Sequence, residues 1–285
     1  MRIFLSRKGF DYSAGGCASP IIDLGNGNKQ FLSLPIPDNL QAEEVSDSTR
    51  KYHGRLYSEL SFNYEGKQYS YSKLVKDLSG ISRDYCHLDP DINENAWGKL
   101  PTDWIPGFGP LKNEYTKFYK DVQEGDNDII LFFGWFREIM LANGEFIFKK
   151  GAPDIHAIYG YMQIGKKVMR SGKDKLYWHP HADEKDNCIF TPTDRLTIND
   201  EKTDYKGYGL FQYNEDTILT KSGCPRSYWR EDTPFVDDSI CKKQNNDKYG
   251  DFFVKRGWKQ WQEYRYDNDE TIEKIIKWLE NMLRK

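Results

Sequence analysis

The stretch that decides the fold runs from Gly125 to Val168 and reads GDNDIILFFGWFREIMLANGEFIFKKGAPDIHAIYGYMQIGKKV. Its first part, residues 128–139, is an almost unbroken apolar and aromatic run. Asn143-Gly144 is a strong signal for a two-residue hairpin turn, and residues 146–148 follow it as a short strand. Residues 155–165 are too rich in β-branched and aromatic side chains for a helix. We therefore predict strands that are buried on both faces and lie at the centre of a sheet.

Three glycines, at positions 134, 160 and 165, lie inside these predicted strands. Interior glycines in strands usually mark bulges, barrel corners or the close approach of another group to the backbone. The fold class we predict is α+β, with a strongly curved or barrel-like mixed β-sheet, flanking helices and long loops. The chain has no internal repeat and no clear linker, so we expect a single compact domain over residues 1–285. Further strands are predicted over 3–6 and 31–36, and helices over 71–78, 111–122 and 271–283, the last capped by Asp269 or Thr271.

The composition excludes several classes of protein. Charged residues make up 30% of the 285 positions, but the net charge is only −3, so bulk charge does not indicate nucleic-acid binding. Five scattered cysteines argue against a disulfide framework and a zinc ribbon. We expect no signal peptide and no transmembrane helix, hence a soluble, cytoplasmic protein without a membrane partner. Aromatic residues reach 15%, which suits base stacking as well as core packing.

A loop rich in small residues follows the first predicted strand, from Arg7 to Pro20. Such loops present backbone N–H groups to anions, and Arg7 and Lys8 would add positive charge. No Gly-Lys-Ser/Thr sequence closes the loop, so it is not a Walker motif. A purely structural turn is the alternative. The basic segment 166–175 is a second candidate for phosphate contacts.

Two compact clusters contain five of the residues most suited to chemistry. His87, Asp89 and Asp91 alternate, and in an extended segment such residues face the same way. His179 and His181 repeat this geometry. Imidazoles and carboxylates form a competent set of ligands for zinc, iron or manganese. The same groups could equally form a metal-free acid–base pair, or cap turns and bond only to nearby loops.

The order of these residues admits a further alternative. Iron- and oxoglutarate-dependent oxygenases have a His-x-Asp motif, then a distant histidine and then an Arg-x-Thr motif. This chain has the same order, with Arg195-Leu196-Thr197 in the last place. Pro90 fits poorly in the paired strand that such enzymes place there. No third histidine has a familiar ligand spacing and no cysteine pair is near. We therefore expect metal-free acid–base chemistry, with no metal ligands assigned and the cofactor left unknown.

Three polar residues of the central stretch also stand out. Arg137 ends a buried aromatic strand, where a guanidinium needs an anionic partner or a ligand. His156 lies inside an apolar strand, where a core histidine with satisfied hydrogen bonds is the alternative to a binding role. Gln163 is similarly placed and could bind the edge of a base.

Several of these motifs resemble one known family. They are Ser6–Asp11 with Gly15-Gly16-Cys17, His87–Asp91, Phe132–Arg137, His156 with Tyr159–Gly165, and His179–His181. In this order they resemble the third of the nucleotide modification associated domain families. The resemblance implies a role around modified bases in DNA, in phage or bacterial modification and defence gene clusters. Separately, Gly125-Asp126, residues 129–133 and residues 158–168 resemble the core of PUA-like domains of the ASCH, EVE and YTH kinds, in which a small β-barrel holds a flipped or modified base.

The leading hypothesis from the sequence is an enzyme that modifies or further processes a base in DNA after the base has been flipped out of the helix. Rival hypotheses are a non-catalytic reader of a modified base and an oxygenase of the type described above. The expected partner is DNA or a modified nucleotide, and other proteins of a DNA-modification gene cluster are further candidate partners. The catalytic candidates are His87, Asp89, Asp91, His179, His181 and Arg137. The candidates for substrate binding are Arg7, Lys8, Asp11, Ser13, Gly134, Trp135, His156, Gly160 and Gln163. We expect the catalytic candidates to surround one pocket whose wall includes Arg137 and the Gly160 backbone.

Overall fold

A computed structural model describes most of the chain. The described residues are 1–25, 27–38, 55–100, 102, 104–169, 176, 179–181, 187–237, 241–248, 250–255 and 263–285, without the side chains of 242–246 and 251–255. Positions 170–175 of the predicted basic segment lie outside them.

The described part of the chain contains nineteen short or medium strands. In chain order they are β1 (Ile3–Arg7), β2 (Ser19–Gly25), β3 (Asn28–Phe31), β4 (Ile36–Pro37), β5 (Arg55–Leu56), β6 (Ser61–Tyr64), β7 (Lys67–Ser70), β8 (Tyr85–His87), β9 (Ile129–Ala142), β10 (Glu145–Phe148), β11 (Ile155–Met169), β12 (Cys188–Pro192), β13 (Thr197–Ile198), β14 (Glu201–Lys202), β15 (Tyr208–Leu210), β16 (Tyr228–Trp229), β17 (Cys241–Asn246), β18 (Gly250–Lys255) and β19 (Glu263–Tyr266).

The principal sheet has the path β12-β11-β9-β1-β19, and β2, β3, β10 and β15 join it at the sides. β1 and β2 both run parallel to β9, whereas β11, β10 and β19 pair antiparallel with their neighbours. The first ten residues of β11 are all buried, as expected for a strand covered on both faces. Asn143 and Gly144 both have positive φ, as a tight hairpin turn requires. The predictions for the central stretch are therefore confirmed.

Within the part of the chain that the structure describes, three α-helices and several shorter helical turns flank this sheet. Helix α1 (Tyr71–Ser79) is capped by the Ser70 hydroxyl, which accepts a hydrogen bond from the Lys73 N–H. Helix α2 (Lys112–Glu114) continues as a π-helical segment, Tyr115–Tyr119, within the predicted helix. Helix α3 (Asp269–Leu283) buries its predicted apolar stripe. Its cap is Asn268 rather than Asp269 or Thr271, because the Asn268 side chain accepts the hydrogen bond from the Thr271 N–H.

The sheet separates two apolar cores. Leu5, Ile129 and Phe133 pack toward α3 on one face, while Phe4, Ile130 and Phe132 pack toward the π-helical segment on the other. The α+β class is confirmed by this arrangement. The barrel-like form is not, since the described strands close into no barrel.

Two other expectations differ from the structure. The strand predicted over 31–36 is replaced by β3 before it and β4 at its end. The Cys-, Pro-, Asp- and Asn-rich sequence of residues 223–250 favours loop, but β17 forms there and pairs with β18. Among the helices described, none combines the length and apolar character needed to cross a membrane.

Candidate functional site

Asp89 is the centre of a buried polar cluster. Its Oδ1 accepts a hydrogen bond from the Gly109 N–H at 2.8 Å and lies 3.4 Å from Nε2 of His179. Its Oδ2 lies 3.4 Å from Nζ of Lys8 and 3.8 Å from Nε2 of His181. Burial alone would raise the pKa of Asp89, but Lys8 and the two histidines hold that pKa well below its usual range. Asp89 is therefore an ionised carboxylate in a nearly dry site.

Two histidines from distant parts of the chain meet beside this carboxylate. The Nε2 atoms of His87 and His181 lie 3.2 Å apart, with the two rings edge to face. Burial lowers the pKa of His87 to about 3, so its imidazole is neutral across the physiological range. The ligand atoms of His87, Asp89 and His181 all lie within 4.8 Å of one another.

Lys8 connects Asp89 to a second buried acid, Glu263. Its ammonium lies 3.8 Å from Oε1 of Glu263 and 4.6 Å from the centre of the Phe108 ring. Burial lowers the pKa of Lys8, but the two carboxylates outweigh that effect and raise it above its ordinary value. Glu263 also accepts hydrogen bonds from Ser6 and Tyr119, and burial raises its pKa to about 8 against the opposing effect of Lys8. The charge of Lys8 is thus committed to internal carboxylates, which argues against its predicted role as a phosphate ligand.

Asp91 lies on the other side of the Asp89–Pro90 segment. The indole N–H groups of Trp104 and Trp97 donate to its two oxygens at 2.6 and 3.3 Å. Burial raises the pKa of Asp91 to about 7, although both indole hydrogen bonds favour the charged form. Asp91 therefore does not converge with the histidines on a single point, because its carboxylate is held by the two indoles.

Close backbone packing brings these elements together. His87 is the last residue of β8, and β8 pairs with β4 at Ile36. The loop before α2 passes directly over the two other histidines. A Cβ placed on Gly109 would lie 2.7 Å from Cδ2 of His181 and 3.0 Å from Cε1 of His179. Glycine is therefore required where the loop contacts the imidazoles.

Two narrow clefts adjoin Asp89, and Gly9 borders both of them. The first, here called the aromatic cleft, is lined by the side chains of Phe31, Tyr159 and Trp97 together with Asp91, among others. The second, here called the histidine cleft, is lined by Arg7, Lys8, Asp11, His87 and His181, among others. Gly9 has φ +85, and its hypothetical Cβ would lie 2.7 Å from the Ser33 hydroxyl oxygen. The backbone at Gly9 thus forms part of the boundary of both clefts.

The loop after β1 is held by Asp11. Its Oδ1 accepts hydrogen bonds from the N–H and hydroxyl of Ser13 and from the Ala14 N–H, each at 2.8 Å. Its Oδ2 lies 3.1 Å from Nη2 of Arg7. Arg7 and Asp11 line the histidine cleft, whereas Ser13 is exposed.

Three predicted residues lie away from the histidines. The guanidinium of Arg137 lies over the Phe148 ring, 5.4 Å from its centre, and Arg137 lines neither cleft. His156 packs in the core on the α3 side of the sheet, where its Nδ1 accepts a hydrogen bond from the Trp229 indole. Gln163 uses its amide within the protein, donating to the carbonyls of Asn127 and Thr197 and accepting from Thr193 and the Thr197 N–H. This geometry argues against the roles proposed for all three.

The remaining candidates make packing or hydrogen-bond contacts within and beside the sheet. A Cβ on Gly134 would lie 2.9 Å from the Lys8 carbonyl oxygen, and one on Gly160 would lie 2.7 Å from Ile92 and 2.9 Å from the Gly209 carbonyl oxygen. Gly160 is close to the aromatic cleft through Ile92, but neither Gly160 nor Arg137 forms its lining. Trp135 donates its indole N–H to Asp154 at 2.8 Å.

Sequence reasoning left two residues near the site without a role. Glu263 stands out in the sequence only as part of the polar pair Gln262-Glu263, and its pairing opposite Ser6 in the sheet reveals its position. Arg226 lies with its guanidinium 3.9 Å from the centre of the Trp135 ring, close enough to Arg7 and Asp11 for their charges to influence its pKa. Burial, the largest effect, lowers the pKa of Arg226.

Only some of the residues that match the oxygenase pattern in sequence lie close together in the structure. His87, Asp89 and His181 come together, but Arg195 donates to the Asp204 carbonyl in a separate hairpin, and Leu196 packs in the core on the α3 side. Arg195 and Thr197 line neither cleft. The arginine and threonine of that pattern therefore lie apart from the histidines.

Comparison with known proteins identifies one family. The family model described as nucleotide modification associated domain 3 matches residues 2–273 of the chain. Neither a curated protein nor a solved structure gives a significant match.

Proposed function

Since the chain belongs to the nucleotide modification associated domain 3 family, we propose that it is an enzyme that modifies or further processes a base of DNA. The family associates the chain with nucleotide modification and with nucleic-acid or nucleotide partners. The observation that carries the enzymatic proposal is the cluster of His87, Asp89 and His181, which lines the histidine cleft and borders the aromatic cleft through Asp89. A protein that only binds a base has no need of such a cluster.

The base would occupy the aromatic cleft. The aromatic rings of Phe31, Tyr159 and Trp97 offer π-surfaces for a planar heterocycle. The pKa of Asp91 is raised to about 7, so its carboxyl group can donate or accept a hydrogen bond. Both clefts are narrow, so entry of a base requires their walls to separate. A base in duplex DNA must first leave the stack, because its reacting atoms are otherwise out of reach.

The reacting groups would act at the edge of the base that faces Asp89. The neutral imidazole of His87 offers a lone pair near this edge, and the ionised Asp89 stabilises positive charge that develops beside it. Lys8 offsets the charge of Asp89, and Gly109 and His179 hold its orientation. The setting this implies is a phage or bacterial DNA-modification or defence system that contains further proteins of the same gene cluster.

The test is mass spectrometry of nucleosides from host DNA with and without the protein. We expect a new or altered nucleoside that disappears with the Asp89→Asn and His87→Gln variants. Asp200→Asn, which changes an exposed turn carboxylate, is the matched control and should behave as wild type. Parallel assays with duplex DNA, single-stranded DNA and free nucleotides identify the form of the substrate.

The rival function is that of a modified-base reader. It predicts that wild-type protein leaves every nucleoside unchanged while retaining DNA binding, which fluorescence anisotropy measures. If Asp89→Asn abolishes DNA binding and leaves the yield per bound complex unchanged, the catalytic role of Asp89 is refuted.

A further inference from the structure

The geometry points to a binding site for a divalent transition-metal ion formed by His87, Asp89 and His181, which we propose here as new. The sequence favoured metal-free chemistry because the histidines showed no familiar spacing. His181 is 94 positions away from His87 in the chain, and the fold brings the two imidazoles together. The proposal rests on ligand geometry alone and stands whether or not the protein acts on bases.

The separation of the two imidazoles fits a shared ion. Zinc–nitrogen bonds are about 2.0–2.1 Å, so two nitrogens at a tetrahedral angle around one ion lie about 3.3 Å apart. The Nε2 atoms of His87 and His181 are 3.2 Å apart. The two rings lie edge to face, and an ion bound by both nitrogens at a tetrahedral angle would lie to one side of the line that joins them.

Asp89 supplies the third ligand. Its Oδ2 lies 3.8 Å from Nε2 of His181, so a shift of about 0.5 Å would bring it to the tetrahedral separation. Its other oxygen, Oδ1, is held by the Gly109 N–H and by Nε2 of His179. Such outer contacts fix the orientation of a ligating carboxylate in metal sites. The two oxygens thus have separate tasks, one oriented by the protein and one directed at the histidines.

Among the described residues, Lys8 places a positive charge beside this ligand, with its Nζ 3.4 Å from Oδ2. The same ammonium lies 3.8 Å from Oε1 of Glu263. An ion on Oδ2 would repel the ammonium, which could then move toward the Glu263 carboxyl group. Arg7 also lines this cleft, but its charge is paired with Asp11 at 3.1 Å. Both described cations of the cleft therefore have an acidic partner other than Asp89.

The ligand set indicates the class of ion. Two imidazoles and one carboxylate suit zinc and iron(II), and cobalt(II) substitutes for both. The three ligands also leave coordination positions on the side of the histidine cleft, as in catalytic rather than structural metal sites. A substrate or water in that cleft could reach the ion directly.

The experiment uses the full-length protein, stripped with a chelator and titrated separately with Zn²⁺, Co²⁺ and, without oxygen, Fe²⁺. Calorimetry gives affinity and stoichiometry, and the visible spectrum of the Co²⁺ form reports on its ligands. We expect one equivalent per chain. His87→Gln and His181→Gln should each weaken binding more than about 100-fold, whereas His179→Gln should cost about 10–100-fold because it acts through Asp89. His156→Gln, a histidine of the opposite core, is the matched control and should bind as wild type.

Circular dichroism and thermal unfolding establish that each variant is folded. X-ray absorption of the metal-loaded wild-type protein provides a test without any variant, and it should show two imidazole ligands and oxygen. Failure of all three ions to bind the wild-type protein would overturn the proposal. So would sulfur ligands in the absorption spectrum, or binding that survives both His87→Gln and His181→Gln. These outcomes are independent of the nucleoside measurement, so the metal site and the proposed function can fail separately.

Discussion

Lys8 and Glu263 meet inside the protein from nearly opposite ends of the described chain, with Nζ of the lysine 3.8 Å from Oε1 of the glutamate. Lys8 follows β1, and Glu263 is the first residue of β19, which pairs with β1. The same ammonium contacts Asp89. One buried cation thus separates two buried carboxylates, and this arrangement determines both the stability of the site and its response to pH.

Replacing Lys8 by Met should lower the free energy of unfolding by about 3–5 kcal/mol, because it leaves the ionised Asp89 buried without its counter-charge. The Lys8→Met/Asp89→Asn double variant should recover part of that loss, since the ionised carboxylate is then removed as well. Denaturant unfolding measures both. Lys206→Met removes an exposed lysine that pairs with Glu94 and should cost less than about 1 kcal/mol. A Lys8→Met effect as small as that of Lys206→Met would contradict the prediction.

Glu263 should make stability fall as pH rises. Its pKa in the folded protein is raised from 4.5 to about 8, so the folded state binds a proton that the unfolded state has already released. Its contribution to stability is fully present below about pH 4.5 and is lost as pH rises through about 8. Between about pH 4.5 and pH 8, the unfolding free energy of the wild type should therefore fall relative to that of Glu263→Gln. A difference independent of pH would show that Glu263 keeps an ordinary pKa.

Gly9 should be more sensitive to substitution than Gly16, although both have positive φ. Gly16→Ala places its Cβ in open space and should cost only the left-handed backbone penalty, about 1–2 kcal/mol. Gly9→Ala adds a clash, since its Cβ would lie 2.7 Å from the Ser33 hydroxyl oxygen and 3.2 Å from the Leu34 carbonyl oxygen. That clash should cost about 1–3 kcal/mol more. Thermal unfolding compares the two variants.

The Gly9 prediction has an internal check. Adding Ser33→Ala to Gly9→Ala removes the nearest clashing atom and should restore part of the lost stability. Equal stabilities for Gly9→Ala and Gly16→Ala would mean that the backbone at Gly9 has room to relax. Gly9→Ala should also weaken binding of a nucleoside probe, because Gly9 borders both clefts.

Arg226 should contribute to DNA binding rather than to chemistry. Its guanidinium lies over Trp135 near Arg7, at the side of the histidine cleft. Arg226→Gln should weaken binding of all DNA sequences similarly and reduce the salt slope of the affinity by about one, as loss of one phosphate contact predicts. Lys277→Gln, on the exposed side of α3, is the matched control. Anisotropy titrations at several salt concentrations measure the slope, and an unchanged slope would exclude a phosphate contact at Arg226.

Much of the sheet was predictable because its central strands carry a strong local signal. The apolar run of β9, the Asn143-Gly144 turn and the β-branched residues of β11 each specify their structure within a short window. The hairpin of β17 and β18 was missed, because its Asp- and Asn-rich sequence reads as loop. The helix cap was placed near the correct residue, but Asn268 was overlooked beside two plausible neighbours.

The types of residue in the site were predictable from the sequence, but the contacts that each residue makes were less so. His87 with Asp89 and the His179–His181 pair stood out because the chain has only five histidines and three of them lie in these two clusters. Arg137 and Gln163 were assigned to the site because they are polar residues in apolar strands, yet the Arg137 guanidinium lies over Phe148 and the Gln163 amide bonds to loop backbone. Glu263 stood out only as half of a polar pair, since its role depends on a strand pairing between distant parts of the chain.

That pairing has a consequence for how the protein reaches its folded state. β1 lies between β9 and β19, and the Ser6–Glu263 hydrogen bond spans 257 positions of sequence. Contacts of such long range slow folding, since the entropy of closing the loop is lost before the contact forms. β1 precedes both of its neighbours in the chain by a long stretch, so this apolar strand lacks its final partners early in synthesis. Glu263, the second acid beside Lys8, comes with β19, so the polar cluster is complete only once β19 has paired with β1.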